Sequence, residues 1–185
     1  MNIQLPVHMD KQAFLDWVRG REERYELVDG RPVMMVGASL NHGRIVGNLY
    51  YSLRRKLGPE WETLTDFGLD AAPKTLRYPD IMVQRSGADG ANYTSVEPCL
   101  LIEVLSPSSA SLDLGDKASE YLRLPSLLGY VVVSQDEPKA WAWLRKEEAF
   151  PPSSIVIAGI EATISIPGLG IDLPLSEVYE SVRFG

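Results

Sequence analysis

The sequence contains a single cysteine, Cys99, among its 185 residues. One cysteine cannot form a disulfide within the chain, and it cannot supply the clustered thiolates of a structural zinc site. No apolar run approaches the roughly 18 residues that span a bilayer. The first ten residues have neither the basic nor the apolar segment of a signal peptide. We therefore expect a soluble, cytoplasmic protein with no membrane partner.

Positive charge is also scarce. The chain has 18 Lys and Arg against 25 Asp and Glu, which gives a formal net charge of −7. Because nucleic-acid binding depends on basic side chains that neutralise phosphates, this balance excludes a protein that binds nucleic acid by its overall charge. It leaves open an enzyme that meets DNA over a local basic face. Acidic metal ligands would themselves add to the negative count.

The rest of the composition is that of a globular protein. Hydrophobic residues make up 45% of the chain and charged residues 23%, which is ordinary for a folded domain and too apolar for a disordered one. The length suits about one domain and is sufficient to bury a core. We find no internal repeat and no linker-like stretch, so we expect a single domain over residues 1–185.

Apolar periodicity predicts four helices. The clearest covers residues 41–57, where Ile45, Leu49, Leu53 and Leu57 recur every fourth residue. The other predicted helices cover residues 10–18 with Asp10 as N-cap, residues 113–124 before Pro125, and residues 174–179.

The predicted strands are more numerous than the helices. Asp29-Gly30 between two strand-like runs indicates a hairpin, because type I′ turns need positive φ. Further strands are expected at 62–71 and 78–85 joined around Pro73, at 98–106, at 130–133 with 140–144, and as a last hairpin within 155–166. This order predicts an α/β (α+β) fold, with a mixed β-sheet flanked by helices and additional β-hairpins.

Glu103 is the most informative polar residue because it lies inside the apolar run of the 98–106 strand. Alternation puts Cys99, Leu101, Glu103 and Leu105 on one face. A buried carboxylate must be protonated, paired with a base or bound to a cation. A buried ion pair and a metal site are both open at this point.

Asp80 follows Pro79 at the start of a predicted strand, where an aspartate often serves only a turn. The chain between Asp80 and Glu103 is long enough for two neighbouring strands to bring both carboxylates together. Such an oxygen-rich pair suits Mg²⁺ or Mn²⁺.

Lys117 lies in the first turns of the 113–124 helix. It is either a solvated lysine on the helix surface or a functional group close to Glu103. The positive end of a helix disfavours a cation, so we expect the ammonium form to be disfavoured there.

These segments resemble a known family. The matching pieces are Arg24-Tyr-Glu-Leu-Val-Asp-Gly30, His42, Pro79-Asp80, Leu101-Ile-Glu-Val-Leu-Ser-Pro-Ser108 and Asp113-Leu-Gly-Asp-Lys117-x-x-x-Tyr121. Together they closely resemble a bacterial family of restriction-endonuclease-like proteins, the Uma-type family, formerly a domain of unknown function. That family belongs to the PD-(D/E)xK nuclease superfamily, and the similarity spans roughly residues 25–143.

The resemblance implies a Mg²⁺-dependent (or Mn²⁺-dependent) endonuclease with Asp80, Glu103 and Lys117 as catalytic residues. Asp80, Glu103 and the backbone carbonyl of Val104 would hold the metal, and Lys117 would act on the attacking water or the phosphate. In the superfamily pattern the lysine lies two residues beyond the acidic residue, where this chain has Leu105. Lys117 must therefore reach the site from the following helix.

Three further residues are possible accessories to this site: Glu26, His42 and Tyr121. Glu26 is either a water-mediated metal ligand or an exposed hairpin carboxylate. His42 either contacts the metal or phosphate, or only caps its helix.

Basic residues and aromatic side chains suggest where partners bind. The possible DNA contacts are Arg44, Lys74 and Arg77; the cluster at 54–56 is explained by the helix dipole alone. The expected nucleic-acid partner is double-stranded DNA. A homodimer is expected by analogy with nucleases that cut both strands, and the face carrying Trp141 and Trp143 could be a subunit contact. The alternatives in other classes are a non-catalytic binding module and a phosphoesterase for small molecules.

Overall fold

The computed structural model describes residues 8–105 and 112–184. Its helices are α1 (Lys11–Val18), α2 (Leu40–Lys56), α3 (Lys117–Tyr121) and α4 (Leu175–Val178), with a π-helical segment (Leu112–Asp116) directly before α3 and a 3₁₀ turn (Pro167–Leu169). Its strands are β1 (Tyr25–Val28), β2 (Arg31–Met34), β3 (Trp61–Leu64), β4 (Gly68–Ala72), β5 (Thr75–Arg77), β6 (Ile81–Arg85), β7 (Thr94–Ser95), β8 (Pro98–Leu105), β9 (Gly129–Ser134), β10 (Lys139–Leu144), β11 (Ile155–Ala158), β12 (Thr163–Ile166) and β13 (Ile171–Pro174).

A six-stranded mixed sheet forms the centre, in the order β11-β10-β9-β8-β6-β3. Strands β8 and β9 pair in parallel and the other neighbours are antiparallel. Every residue of β8 is buried, as expected for a strand covered on both faces. The expectation of a mixed sheet flanked by helices is confirmed.

Alternation along the central strands separates two cores. On one face, Ile45, Leu49 and Leu53 of α2 pack against the sheet, together with β12, β13 and α4. The opposite face carries Leu101 and Leu105 of β8 and packs against α3 and Tyr130. Glu103 shares this second face, as the strand period predicts.

A second sheet has the order β2-β1-β5-β4-β7 and lies on the α3 side of the molecule. The predicted hairpin is present, and Asp29 and Gly30 have φ values of 46° and 76°. α1 begins after Asp10, whose side chain accepts a hydrogen bond from Ala13 N–H, and Phe14 packs on Leu27 and Leu76.

Two predictions about the strands are wrong. Residues 61–85 form four strands rather than two: β3 and β6 pair with each other in the central sheet, while β4 and β5 pair around Pro73 in the second. The chain turns between β3 and β4 at Asp66, whose φ is 55°. In the 155–166 region, β11 pairs with β10 and β12 with β13, because the chain changes direction at Gly159, with φ 97°.

The predicted helix at 113–124 is also different. Its first turns are π-helical, and α3 itself ends at Tyr121. Residues 106–108 of the matched motif lie outside the described residues. Within the described part of the chain, no helix is both long and apolar enough to cross a membrane.

Candidate active site

Asp80 and Glu103 are brought together by the pairing of β6 with β8. Ile81 pairs with Ile102 in antiparallel register. Asp80, directly before Ile81, is therefore opposite Glu103, directly after Ile102. Oδ2 of Asp80 accepts a hydrogen bond of 2.7 Å from the backbone N–H of Val104. The same oxygen lies 3.1 Å from Nε2 of His42 at the start of α2. Both predicted acidic residues therefore face one end of the central sheet.

Burial raises the pKa of the Asp80 carboxyl, and the Asp113 carboxylate raises it further. The Val104 N–H, His42 and Lys117 oppose this change without cancelling it. The negative charge on Asp80 is therefore disfavoured in the metal-free protein.

Glu103 is buried, and its Oε1 accepts two hydrogen bonds from α3. The donors are Nζ of Lys117 at 2.9 Å and the hydroxyl of Tyr121 at 3.1 Å. Burial raises the pKa of Glu103 to about 8, with Asp80 and Asp113 adding repulsion and Lys117 acting against it. Tyr121 thus contacts the site directly, as one of the predicted accessory residues.

Lys117 lies among three carboxylates. Its Nζ is 2.9 Å from Glu103, 3.1 Å from Asp113 and 4.0 Å from Glu26. Burial alone would lower the pKa of Lys117, but these carboxylates hold it well above its usual value. The expectation that the ammonium form is disfavoured is therefore wrong, because the neighbouring carboxylates outweigh the helix end.

Asp113 was not predicted as a site residue. It is only 2% exposed, and Tyr130 donates a hydrogen bond to its backbone oxygen. Its Oδ1 forms an ion pair with the ammonium of Lys117. Among the residues that the structure describes, no group donates a hydrogen bond to this oxygen. The four-residue spacing of Asp113 and Lys117 was the available signal, since such pairs meet on a helix.

Glu26 is buried, which corrects its interpretation as an exposed hairpin carboxylate. Its Oε2 accepts a hydrogen bond of 3.0 Å from Arg77, and its Oε1 accepts one of 3.1 Å from the backbone N–H of Tyr78. Arg77 is 1% exposed and also binds both oxygens of Glu120, at 2.8 and 2.7 Å. Arg77 is therefore not accessible to DNA, and its prediction as a DNA contact is wrong. The sequence analysis did not identify Glu120 as a partner of Arg77.

The other predicted basic contacts occupy different places. Arg44 is partly buried two residues beyond His42, whereas Lys74 is exposed in the turn before β5. The basic residues 54–56 end α2, roughly 20 Å from His42 at 1.5 Å per residue. Trp143 is buried against Tyr130 and Trp141 is partly buried, so the two aromatic side chains do not form an exposed face.

The donor set fits a magnesium-type ion. Among residues 8–105 and 112–184, no three His, Cys, Asp or Glu side chains converge as a ready-made cage. Mg²⁺ does not require such a cage of three side chains, because it is commonly bound by one or two carboxylates together with waters and substrate phosphates. The N–H and C=O of a strand residue point to the same side, so the Val104 carbonyl leaves β8 on the side of Asp80.

The whole fold is similar to that of a nuclease-like protein. A crystal structure described as a "putative nuclease belonging to DUF820 from Anabaena variabilis" superimposes with a TM-score of 0.77. The match covers 95% of this chain and 99% of the other, at 15% sequence identity. The fold is therefore the nuclease-like fold, which the sequence resemblance led us to expect.

Residues 12–175 match the model of the family described as "Uma2: Putative restriction endonuclease", and the chain belongs to this family. Two relatives from Synechocystis sp. have no assigned activity in their names. "Uncharacterized protein sll1609" is 32% identical over 119 residues, covering 61% of this chain and 67% of the relative. "Uncharacterized protein slr1290" is 25% identical over 182 residues, covering 95% and 94%.

Proposed function

We propose that the protein is a divalent-metal-dependent endonuclease that hydrolyses DNA phosphodiester bonds. The observation that carries the proposal is the placement of two carboxylates and one ammonium at the same end of the central sheet. Asp80 accepts a hydrogen bond from Val104, next to Glu103 on β8, and Nζ of Lys117 lies 2.9 Å from Glu103. The family and the nuclease-like fold support the same class of activity.

Each side chain has a role that follows from its surroundings. A bound Mg²⁺ or Mn²⁺ supplies a Lewis acid and an activated water. Asp80 and Glu103, with the Val104 carbonyl, would supply the oxygens that hold the ion. His42 touches Asp80 from α2 and keeps that carboxylate turned toward the site.

Lys117 acts through its positive charge and not as a general base. In the metal-free protein, the surrounding carboxylates hold the pKa of Lys117 above its usual value and favour the protonated form. A positioned ammonium stabilises the negative charge that develops on phosphate oxygens in the transition state. In the same position it donates a hydrogen bond that orients an attacking water.

The proposed substrate is double-stranded DNA in the cytoplasm, cut by a homodimer. With a net charge of −7, the protein depends on local contacts, and partly buried Arg44 is near the site on the same helix as His42. Phosphate contacts of this kind make binding sensitive to salt, so activity is best sought at low ionic strength.

The test is cleavage of supercoiled plasmid at low salt with Mg²⁺ or Mn²⁺. We expect nicked or linear product with metal and none with chelator. The Asp80→Asn variant is the matched control, since it keeps the fold and removes one metal ligand. Intact plasmid at high enzyme concentration, together with inert linear, single-stranded and RNA substrates, would overturn the proposal.

A non-catalytic binding module is the second candidate. The ion pair between Lys117 and Glu103 favours it, because these groups satisfy each other without metal. This candidate predicts that the protein releases no product from any nucleic acid or nucleotide phosphoester, even when Mg²⁺ or Mn²⁺ is bound.

A further inference from the structure

Arg77 is the largest fully buried side chain in the described part of the protein, and it carries a charge. Its guanidinium makes three hydrogen bonds to carboxylates, two to Glu120 and one to Glu26. Removing a charged group from water costs several kcal/mol unless its partners are well placed. A buried ion pair is therefore weak evidence that the pair stabilises the folded protein. We accordingly look for another role for the contacts of Arg77 with Glu120 and Glu26.

The hydrogen bonds of Arg77 connect the elements that carry the candidate site. Arg77 ends β5 and lies three residues before Asp80. Glu120 is on α3, one turn after Lys117. The bidentate contact thus fixes the helix that carries the lysine to the segment that carries the first metal-binding carboxylate.

The helix needs such an anchor because it is very short. α3 has five residues and continues directly from the five-residue π-helical segment before it, and helices this short do not hold their position without tertiary contacts. At its other contacts, Tyr121 and Lys117 both bind the same oxygen of Glu103. Apolar packing of Tyr121 on Tyr130 also holds α3, and the bidentate contact of Glu120 with Arg77 adds a directional contact that does not involve Glu103.

Arg77 also helps to fix the position of Glu26 beside the lysine. Both oxygens of Glu26 have donors, one in Arg77 and one in the backbone of Tyr78. Oε1 of Glu26, the oxygen that accepts from Tyr78 N–H, lies 4.0 Å from Nζ of Lys117, compared with 2.9 Å for Oε1 of Glu103. The guanidinium holds the other oxygen, Oε2, so Arg77 and the Tyr78 backbone together fix the carboxylate at that distance.

We propose that Arg77 is a positioning residue: through Glu120 and Glu26 it holds the ammonium of Lys117 against Glu103 at the catalytic end of the sheet. The inference rests on the proposed nuclease function. It adds a residue that touches neither substrate nor metal. We therefore expect a substitution of Arg77 to change the rate of the chemical step and to leave the binding of substrate and metal unchanged.

The test compares Arg77→Lys and Glu120→Gln with the parent on supercoiled plasmid and Mg²⁺. Arg77→Lys keeps the charge but loses the bidentate contact, and Glu120→Gln loses it from the helix side. We expect kcat to fall by about 10²-fold, as for a small misplacement of a catalytic group, while KM and the metal-induced rise in melting temperature stay near the parental values.

The matched control is Arg145→Met. Arg145 also makes three guanidinium hydrogen bonds, but to backbone oxygens of Leu127, Glu148 and Leu124. Each variant is assayed at the same interval below its own melting temperature, which separates positioning from stability. An equal kcat for Arg145→Met and Glu120→Gln, or a change confined to KM, would overturn the inference.

A second measurement does not need activity. The ammonium resonance of Lys117, assigned by its loss in Lys117→Met, is recorded by NMR in parent and Glu120→Gln. We expect a changed chemical shift and faster exchange of the ammonium protons with water in Glu120→Gln, and no change in Arg145→Met. An unchanged signal in the folded Glu120→Gln protein overturns the positioning role. A changed signal without cleavage by the parent leaves positioning intact and removes the proposed nuclease function.

Discussion

At the scale of single residues, the site depends on a surplus of carboxylates around one lysine. Glu103, Asp113 and Glu26 all lie within 4.0 Å of Nζ of Lys117, and Asp80 adds repulsion to Glu103. In the metal-free protein the lysine supplies the positive charge that these groups share. A metal ion would bring additional positive charge to the same carboxylates.

Lys117→Met tests the role of that charge, because methionine keeps an unbranched apolar chain without the ammonium. We expect cleavage to fall by ~10²-fold or more, since a stabiliser of transition-state charge is lost. Binding of Mg²⁺, followed by calorimetry, should persist. The control is Lys139→Met, which removes a lysine at the start of β10 that pairs with Glu137. Cleavage at the parental rate by Lys117→Met would show that the ammonium has no catalytic part.

Asp80→Asn tests the strain among the carboxylates. Because burial and Asp113 raise the pKa of Asp80, its charged form costs free energy in the native state. Asparagine can still accept the hydrogen bond from Val104. We therefore expect metal-free Asp80→Asn to melt at or above the parental temperature in chelator, measured by calorimetry.

The control for this experiment is Asp172→Asn on β13, where the side chain is exposed. It should leave the melting temperature near that of the parent. A loss of ~1 kcal/mol or more in Asp80→Asn would instead assign Asp80 to a stabilising turn or ion pair.

At the scale of elements, the two edges of the central sheet are unlike each other. The outer strand β11 has the sequence Ile155-Val-Ile-Ala158, with Val156 54% exposed and no charge. At the other edge, β3 contains Glu62, and Arg85 stacks on Trp61. Uncharged apolar edges are templates for pairing, and an antiparallel pair of identical strands closes on itself by two-fold symmetry. If the proposed homodimer forms, β11 is the edge suited to it.

Val156→Lys tests this edge. A charge on the strand should oppose pairing, so we expect the variant to be monomeric at concentrations where the parent is dimeric, measured by light scattering after size exclusion. Val96→Lys is the control, because Val96 is exposed to a similar degree in the loop before β8. A dimeric Val156→Lys protein would place the subunit contact elsewhere.

At the scale of the whole molecule, metal binding and folding are linked. An ion that binds only the native state stabilises it by mass action, by about 2.7 kcal/mol when free metal is ~100 times its dissociation constant. We expect the melting temperature of the parent to rise with Mg²⁺ or Mn²⁺ and that of Asp80→Asn to change little. Thermal melts over a metal titration measure both. Equal shifts in the two proteins would remove Asp80 from the metal site.

The sequence by itself determined the features that depend on near neighbours. The continuous apolar run identified β8, and alternation along it put Glu103 on the face of Leu101 and Leu105. Apolar residues at every fourth position identified α2, and Asp29-Gly30 identified the first hairpin. These patterns can be read along the chain because backbone sterics and side-chain period are local. The mixed sheet with flanking helices followed from their order.

Only the tertiary structure decided which strands pair and which charges meet. Arg77 is 51 residues from Glu26 and 43 from Glu120, so no periodicity connects them, and an arginine predicted to reach DNA is instead enclosed by carboxylates. The pKa of Lys117 changes in the opposite direction from the expectation for a helix start, because it is set by Glu103, Asp113 and Glu26 together. Electrostatic energies depend on distance in space and on burial, and both are fixed only when the two sheets and α3 pack together.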